Sequence, residues 1–146
     1  MARYFTLEEA RQQLPVADRA IREAIHSRAL FQESEHKLDE LTQRIFVSGG
    51  MTVDRAAFEA LKNGKQSGSE RLQAAMEQLE GVGCLIKDLH IGLIDFPTLY
   101  QGEEVYLCWQ LGEDDIRFWH GVQEGFGGRK AIDAHFLAHH SAGHGV

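Results

Sequence analysis

The chain has 146 residues and a net charge of -7, a length at which one domain can bury roughly two-thirds of the surface its unfolded chain exposes. Residues 1–80 carry 11 basic and 13 acidic side chains, whereas residues 81–146 carry 4 and 9 together with six of the eight histidines. An acidic surface repels phosphate backbones, so nucleic-acid binding through a basic patch is disfavoured and cations are the more natural small partners. No run approaches the roughly 18–20 apolar residues of a membrane helix, and the opening, Tyr4-Phe5-Thr6-Leu7-Glu8-Glu9, turns acidic where a secretory signal needs an apolar stretch. The expectation is a cytoplasmic protein in which Cys84 and Cys108, each flanked by apolar residues, are reduced and buried.

Thr6 and Glu9 form a capping box that starts a helix at Leu7. Pro15 is comfortable only in a first turn, so the sequence predicts a short helix over 7–13 and a long one from Pro15 to about Phe46. Ile21, Ala24, Ile25, Phe31, Leu38, Leu41 and Ile45 recur at helical spacing and mark its buried stripe. Ser48-Gly49-Gly50 ends it and turns the chain.

A second helix is predicted from about Val53 to Glu80. Asn63-Gly64 and Ser67-Gly68-Ser69 disfavour helix in its middle, and Ser67 with Glu70 is a further capping box that would restart it. Two long helices joined by a short turn pack antiparallel.

After Gly81-Val82-Gly83 the period changes. Short apolar runs at 84–87, 92–96, 104–110 and 115–120 read as four strands, with Pro97 and Gly102 marking the second connection and Leu111-Gly112-Glu113-Asp114 the third. Such short connections require antiparallel pairing. The expected fold is α+β and a single domain over 1–146: a helical hairpin over 7–80 on a small antiparallel meander over 84–120. A glycine-rich segment, a short helix and a histidine-containing tail complete it over 125–146.

Lys87-Asp88, Gly92-Leu93-Ile94-Asp95-Phe96-Pro97, Leu107-Cys108-Trp109, Gly112-Glu113, Phe118-Trp119-His120 and Gly125-Phe126-Gly127-Gly128-Arg129, with the opening from Tyr4 to Arg11 and Leu14-Pro15, resemble the bacterial family called domain of unknown function 2203. The resemblance covers about residues 4–130. It implies fold and location; it implies no activity, substrate or catalytic residue.

Site chemistry has to come from side chains. A four-residue connection after Gln110 pairs Gln110 with Asp115, which places Trp109 with Ile116, Leu107 with Phe118 and Val105 with His120 on one helix-covered face. Tyr106, Cys108, Arg117 and Trp119 then fall on the other. If Asp95 lies opposite Val105, Asp95 and His120 flank it in one row and can act as metal ligands or as an acid-base pair. Asp88, Glu103 or Glu124 would have to complete a site for a divalent metal ion. The plainer alternative is that Asp95 caps a turn and His120 bonds the backbone at a strand end.

Arg129 and Lys130, after the glycine run, could hold an anion, although the motif lacks the full dinucleotide or phosphate-loop pattern. His135 and His139 stand four apart, with His140 and His144 nearby, a spacing that binds metals adventitiously. Tyr106 and Trp119 form an expected aromatic pair on the uncovered face, which suggests a homodimer unless the segment around Phe126 and Phe136 folds over it. Two function classes follow: a homodimeric interaction or scaffold module, or a small metal-dependent or acid-base enzyme centred on Asp95 and His120 and acting on an anionic small molecule. Nucleic-acid binding is left only to the hairpin, where the charges nearly balance.

Overall fold

The computed structural model describes residues 3–47, Gly49 and 54–143. The capping box forms as read: Thr6 Oγ1 accepts from the Glu9 amide at 3.1 Å and the Glu9 carboxylate accepts from the Thr6 amide at 3.0 Å. Helix α1 then runs unbroken over Leu7–Val47 with Pro15 inside it, which corrects the expected break. Pro15 is exposed, so the carbonyl its ring deprives of a donor lies on the solvent side, while Ala10, Ala17, Ala20 and Ile21 beside it are buried and hold the helix in place.

Helix α2 spans Arg55–Val82 and is capped by Asp54, whose Oδ1 accepts from the Ala57 amide at 3.2 Å. Val53, Ser48 and Gly50, to which the helix start and the turn had been assigned, lie outside the described residues.

The described residues fall into two compact units, Glu23–Met76 and the pair of segments Met1–Arg22 and Glu77–Val146. In the first, α2 continues straight through Gly64 and Gly68 without the restart that Ser67 and Glu70 predicted. The glycines are there for approach. A Cβ on Gly68 would stand 2.8 Å from the Phe31 amide nitrogen and 2.9 Å from the Ser27 carbonyl oxygen, and one on Gly64 would stand 2.7 Å from Ser34 Oγ. Ser27 and Ser34 are themselves buried, so a seam of small residues brings the two backbones close, and Arg71 to Glu23 at 2.7 Å closes it.

The second unit holds the sheet, with the first turns of α1 and the last turn of α2 packed on one face of it. Its strands are β1 (Leu85–Asp88), β2 (Leu93–Tyr100), β3 (Glu103–Gln110), β4 (Phe118–Gly121), β5 (Lys130–Ala131) and β6 (His140–Ser141). The order is β1-β2-β3-β4-β5, all antiparallel, with β6 added beside β2. No helix among the described residues is long and apolar enough to cross a membrane.

Pro97 is not a turn residue but lies mid-strand opposite Tyr106. β1 pairs with β2 at 93–95 and β6 pairs with it at 99–100, so Pro97 occupies the gap between them, where no donor is needed and its carbonyl accepts from the Phe5 amide at 2.7 Å. The β2–β3 turn shrinks to Gln101-Gly102, both with positive φ (53° and 83°), which matches a two-residue type I′ hairpin.

The helix-covered face carries Ile94, Phe96, Thr98, Val105, Leu107 and Trp109, all buried, with Phe5 set edge-on to Phe96 at 5.3 Å. Helix α3 (Ala134–His139), capped by Asp133, places Phe136 in stacks with Tyr100 at 4.7 Å and Trp119 at 5.0 Å. The Leu7 amide donates to His140 Nε2 at 2.9 Å, which ties the C-terminal segment to the start of α1.

The close seam yields a paired expectation for urea unfolding. Gly68→Ala should lower stability by about 1–3 kcal/mol, because backbone atoms cannot yield to the new methyl. Gly81→Ala, also helical but with nothing within 4 Å of its new Cβ, should raise stability by about 0.5–1 kcal/mol. Equal effects at the two positions would contradict the close approach.

Candidate functional site

The register of β3 and β4 decides what the sheet presents. The connection between them covers residues 111–117 rather than four, and it pairs Tyr106 with His120, Leu107 with Trp119 and Cys108 with Phe118. That is one residue away from the expected alignment, and a one-residue slip moves every β4 side chain to the opposite face. The cause is local. Ile116 is buried outside any strand, the Asp115 carboxylate accepts from the Ile116 amide at 2.7 Å, and Arg11 holds the same carboxylate at 2.9 Å.

β2 is shifted as well, with Asp95 opposite Cys108 rather than Val105. The two displacements leave Asp95 and His120 on a common face, but it is the face away from the helices, shared with Tyr106 and Cys108. His120 Nε2 stands 3.0 Å from both Asp95 carboxylate oxygens, and its Nδ1 is 2.9 Å from the Gly121 carbonyl. A carbonyl accepts only, so Nδ1 carries a proton and donates it, while a second proton is shared between Nε2 and the carboxylate.

Cys108 completes the group. One ligand atom each from Asp95, Cys108 and His120 lie within 4.8 Å of one another, all three residues are buried, and they are the one such cluster among the described residues. The register expected from the sequence puts Cys108 on the face opposite the pair and leaves the third ligand to Asp88, Glu103 or Glu124. Asp88 instead accepts from the His90 amide at 2.9 Å, Glu124 accepts from the Gly121 amide at 2.9 Å and pairs with Lys130, and Glu103 is exposed at the hairpin. The signal that could have found Cys108 is its two-residue alternation with Tyr106, once the β4 register is known.

Burial pushes the Asp95 carboxyl above the usual carboxylate range, against the opposing pull of His120, the Cys108 thiol and Lys87. Burial likewise pushes the Cys108 thiol up to about 12, aided by the Asp95 charge and opposed by Arg129. Without a further cation, Cys108 is a thiol and not a nucleophile. Around the group, the Tyr106 ring meets His120 edge-on at 5.5 Å and the Lys87 ammonium sits 4.6 Å over Tyr106. A cavity of about 390 Å³ shares Tyr106 as part of its wall, together with Cys84, Leu85, Pro97 and Glu104.

The other candidates are placed differently. Tyr106 and Trp119 do not pair: they lie on opposite faces, and Trp119 is covered by Phe136 of the same chain. Arg129 and Lys130 are engaged with Glu113 and Glu124 rather than gathered around an anion cradle. His135 and His139 stack at 4.2 Å, with His135 Nδ1 bonded to the Tyr100 hydroxyl at 2.6 Å and His139 Nδ1 to the His135 carbonyl at 2.8 Å. His144 lies outside the described residues.

Fold and site together define an α+β protein whose antiparallel sheet buries a carboxylate, an imidazole and a thiol on the face away from its helices. The chain belongs to the family described as "Uncharacterized conserved protein (DUF2203)", whose pattern matches residues 3–132, as the sheet motifs had indicated. No curated protein and no solved structure matches the chain. Helix α3 and β6 lie beyond the matched span.

The thiols give the stability a defined pH dependence. Cys84, like Cys108, is raised by burial, from the ordinary 9.0 to about 11. The folded protein therefore keeps protons that the unfolded chain releases, and this contribution, complete below pH 9, is lost as pH climbs toward 11–12. Stability should fall between pH 9 and 10.5 with a slope of up to about 1.4 kcal/mol per pH unit from each thiol. Urea denaturation of Cys84→Ala and Cys108→Ala should show flatter slopes, and unchanged slopes would refute the assignment.

Proposed function

We propose that the protein is a metal-dependent domain that binds one divalent ion, zinc by preference, through Asp95, Cys108 and His120. The observation that carries this reading is the convergence of three buried metal-competent side chains of different chemistry within 4.8 Å. A carboxylate oxygen, an imidazole nitrogen and a sulfur form a borderline-soft donor set that suits zinc better than calcium or magnesium, which take oxygen ligands.

The surroundings support it. The Gly121 carbonyl holds Nδ1–H and so aims Nε2 at the other two ligands, the usual outer contact of a metal-bound histidine. A divalent charge would also compensate a carboxylate that burial disfavours. Three protein ligands rather than four leave one coordination position for water or substrate, the donor count of catalytic rather than purely structural zinc. The cavity bordered by Tyr106 brings solvent to within one side chain of the His120 ring.

Metal binding here has to displace two protons, the one shared by Nε2 and Asp95 and the one on the Cys108 sulfur. Cobalt added to metal-stripped protein should bind at one equivalent with a sulfur-to-cobalt charge-transfer band. Calorimetry at pH 7 in buffers of differing ionisation enthalpy should report about two protons released, the count expected when ligands must be deprotonated. Cys108→Ser should remove the band and His120→Ala should abolish tight binding, while the His135→Ala/His139→Ala protein should behave as wild type. Wild-type protein that takes up no cobalt or zinc, or does so only through His135 and His139, would sink the proposal.

A further inference from the structure

Arg129 is a charged side chain beside Cys108 that has no role in the centre as described. The 3-10 turn Phe126–Gly128, with the Arg129 amide returning to the Phe126 carbonyl at 3.3 Å, directs the chain back toward β4. The guanidinium is clamped between two rings, with Cζ 4.1 Å over Phe118 and 4.8 Å over Phe126. Its Nη2 donates to Glu113 Oε1 at 2.6 Å and to the Cys108 carbonyl at 3.4 Å. Glu113 is in turn fixed by the Gln110 amide at 2.6 Å. The side chain is left 12 % exposed.

Among the described residues, Arg129 Nε is the buried side-chain polar atom that has no hydrogen-bond partner. Buried donors are normally satisfied, and one that is not calls for an acceptor. The nearest chemical answer is the Cys108 side chain: the guanidinium already donates to the Cys108 carbonyl and lies over Phe118, which stands opposite Cys108 in the sheet. A neutral thiol accepts hydrogen bonds poorly, whereas a metal-bound thiolate accepts them well from a charged donor.

We propose that Arg129 is the positioning residue of the metal centre, holding the Cys108 sulfur in place as a ligand through a guanidinium hydrogen bond that strengthens when the ion is bound. The inference rests on the metal-centre reading above and deepens it. It also explains why an arginine is needed: ring stacking on two sides and a fork shared between Glu113 and the sulfur are beyond a lysine.

Cobalt titration of Arg129→Met, which keeps the apolar stem between the two rings, should show affinity reduced by about 10- to 100-fold, the usual effect of losing an outer-shell partner. The sulfur-to-cobalt band should move to longer wavelength, since a thiolate without its charged donor is more easily oxidised. Arg129→Lys should recover part of both losses, a recovery that a purely structural role would not give. If Arg129→Met does not fold, Glu113→Gln, which loosens the guanidinium, should shift the same band in the same direction. A folded Arg129→Met protein with unchanged cobalt affinity and an unmoved band overturns this inference and leaves the metal centre standing; wild-type protein without any cobalt band overturns both.

Discussion

A carboxylate with no solvent exposure is the constraint around which the sheet is arranged. Asp95 is 0 % exposed, and an ionised carboxylate left alone in such a place costs several kcal/mol. Its compensation comes from His120, two strands away, which reaches diagonally past Cys108 to both oxygens. That contact requires β2, β3 and β4 to keep one register. A shift of β4 by a single residue would bring Trp119 to the carboxylate and turn the imidazole toward the helices, so the buried pair is compatible with this alignment alone.

The two faces of the sheet divide the work. The face toward α1 and α2 is apolar and is completed by the chain's own C-terminal segment: Phe136 stacks on both Tyr100 and Trp119, β6 pairs with the end of β2, and His140 accepts from the first amide of α1. The opposite face carries the polar group, flanked by Lys87, Tyr106 and Arg129. The three side chains of the candidate centre thus project from strands rather than from loops, the kind of support that holds a site in a fixed geometry.

Much of the local structure was legible in the residues. The capping box at Thr6, the long amphipathic stretches, the change of period after Gly83 and the antiparallel strands all follow from short-range rules. The same rules failed at Pro15, Gly64 and Gly68, each read as a helix breaker. At Pro15 the lost hydrogen bond falls on the solvent side, and at the glycines close helix approach outweighs propensity. Asp95 and His120 were legible as polar intruders in apolar strands, whereas Cys108 passed for a small core hydrophobe.

Sequence alone therefore determined the α+β class, the two long helical stretches, the four main strands, the family and two of the three side chains of the candidate centre, because helix caps, periodicity and turn chemistry are encoded within a few neighbouring residues. Only the tertiary structure decided which face those side chains occupy, what joins them and what covers Trp119. Strand register depends on the packing of Ile116 and on the partners of Asp115, one of which lies in α1 far away in the chain. A displacement of one residue there leaves every local pattern intact while exchanging the two faces of the sheet.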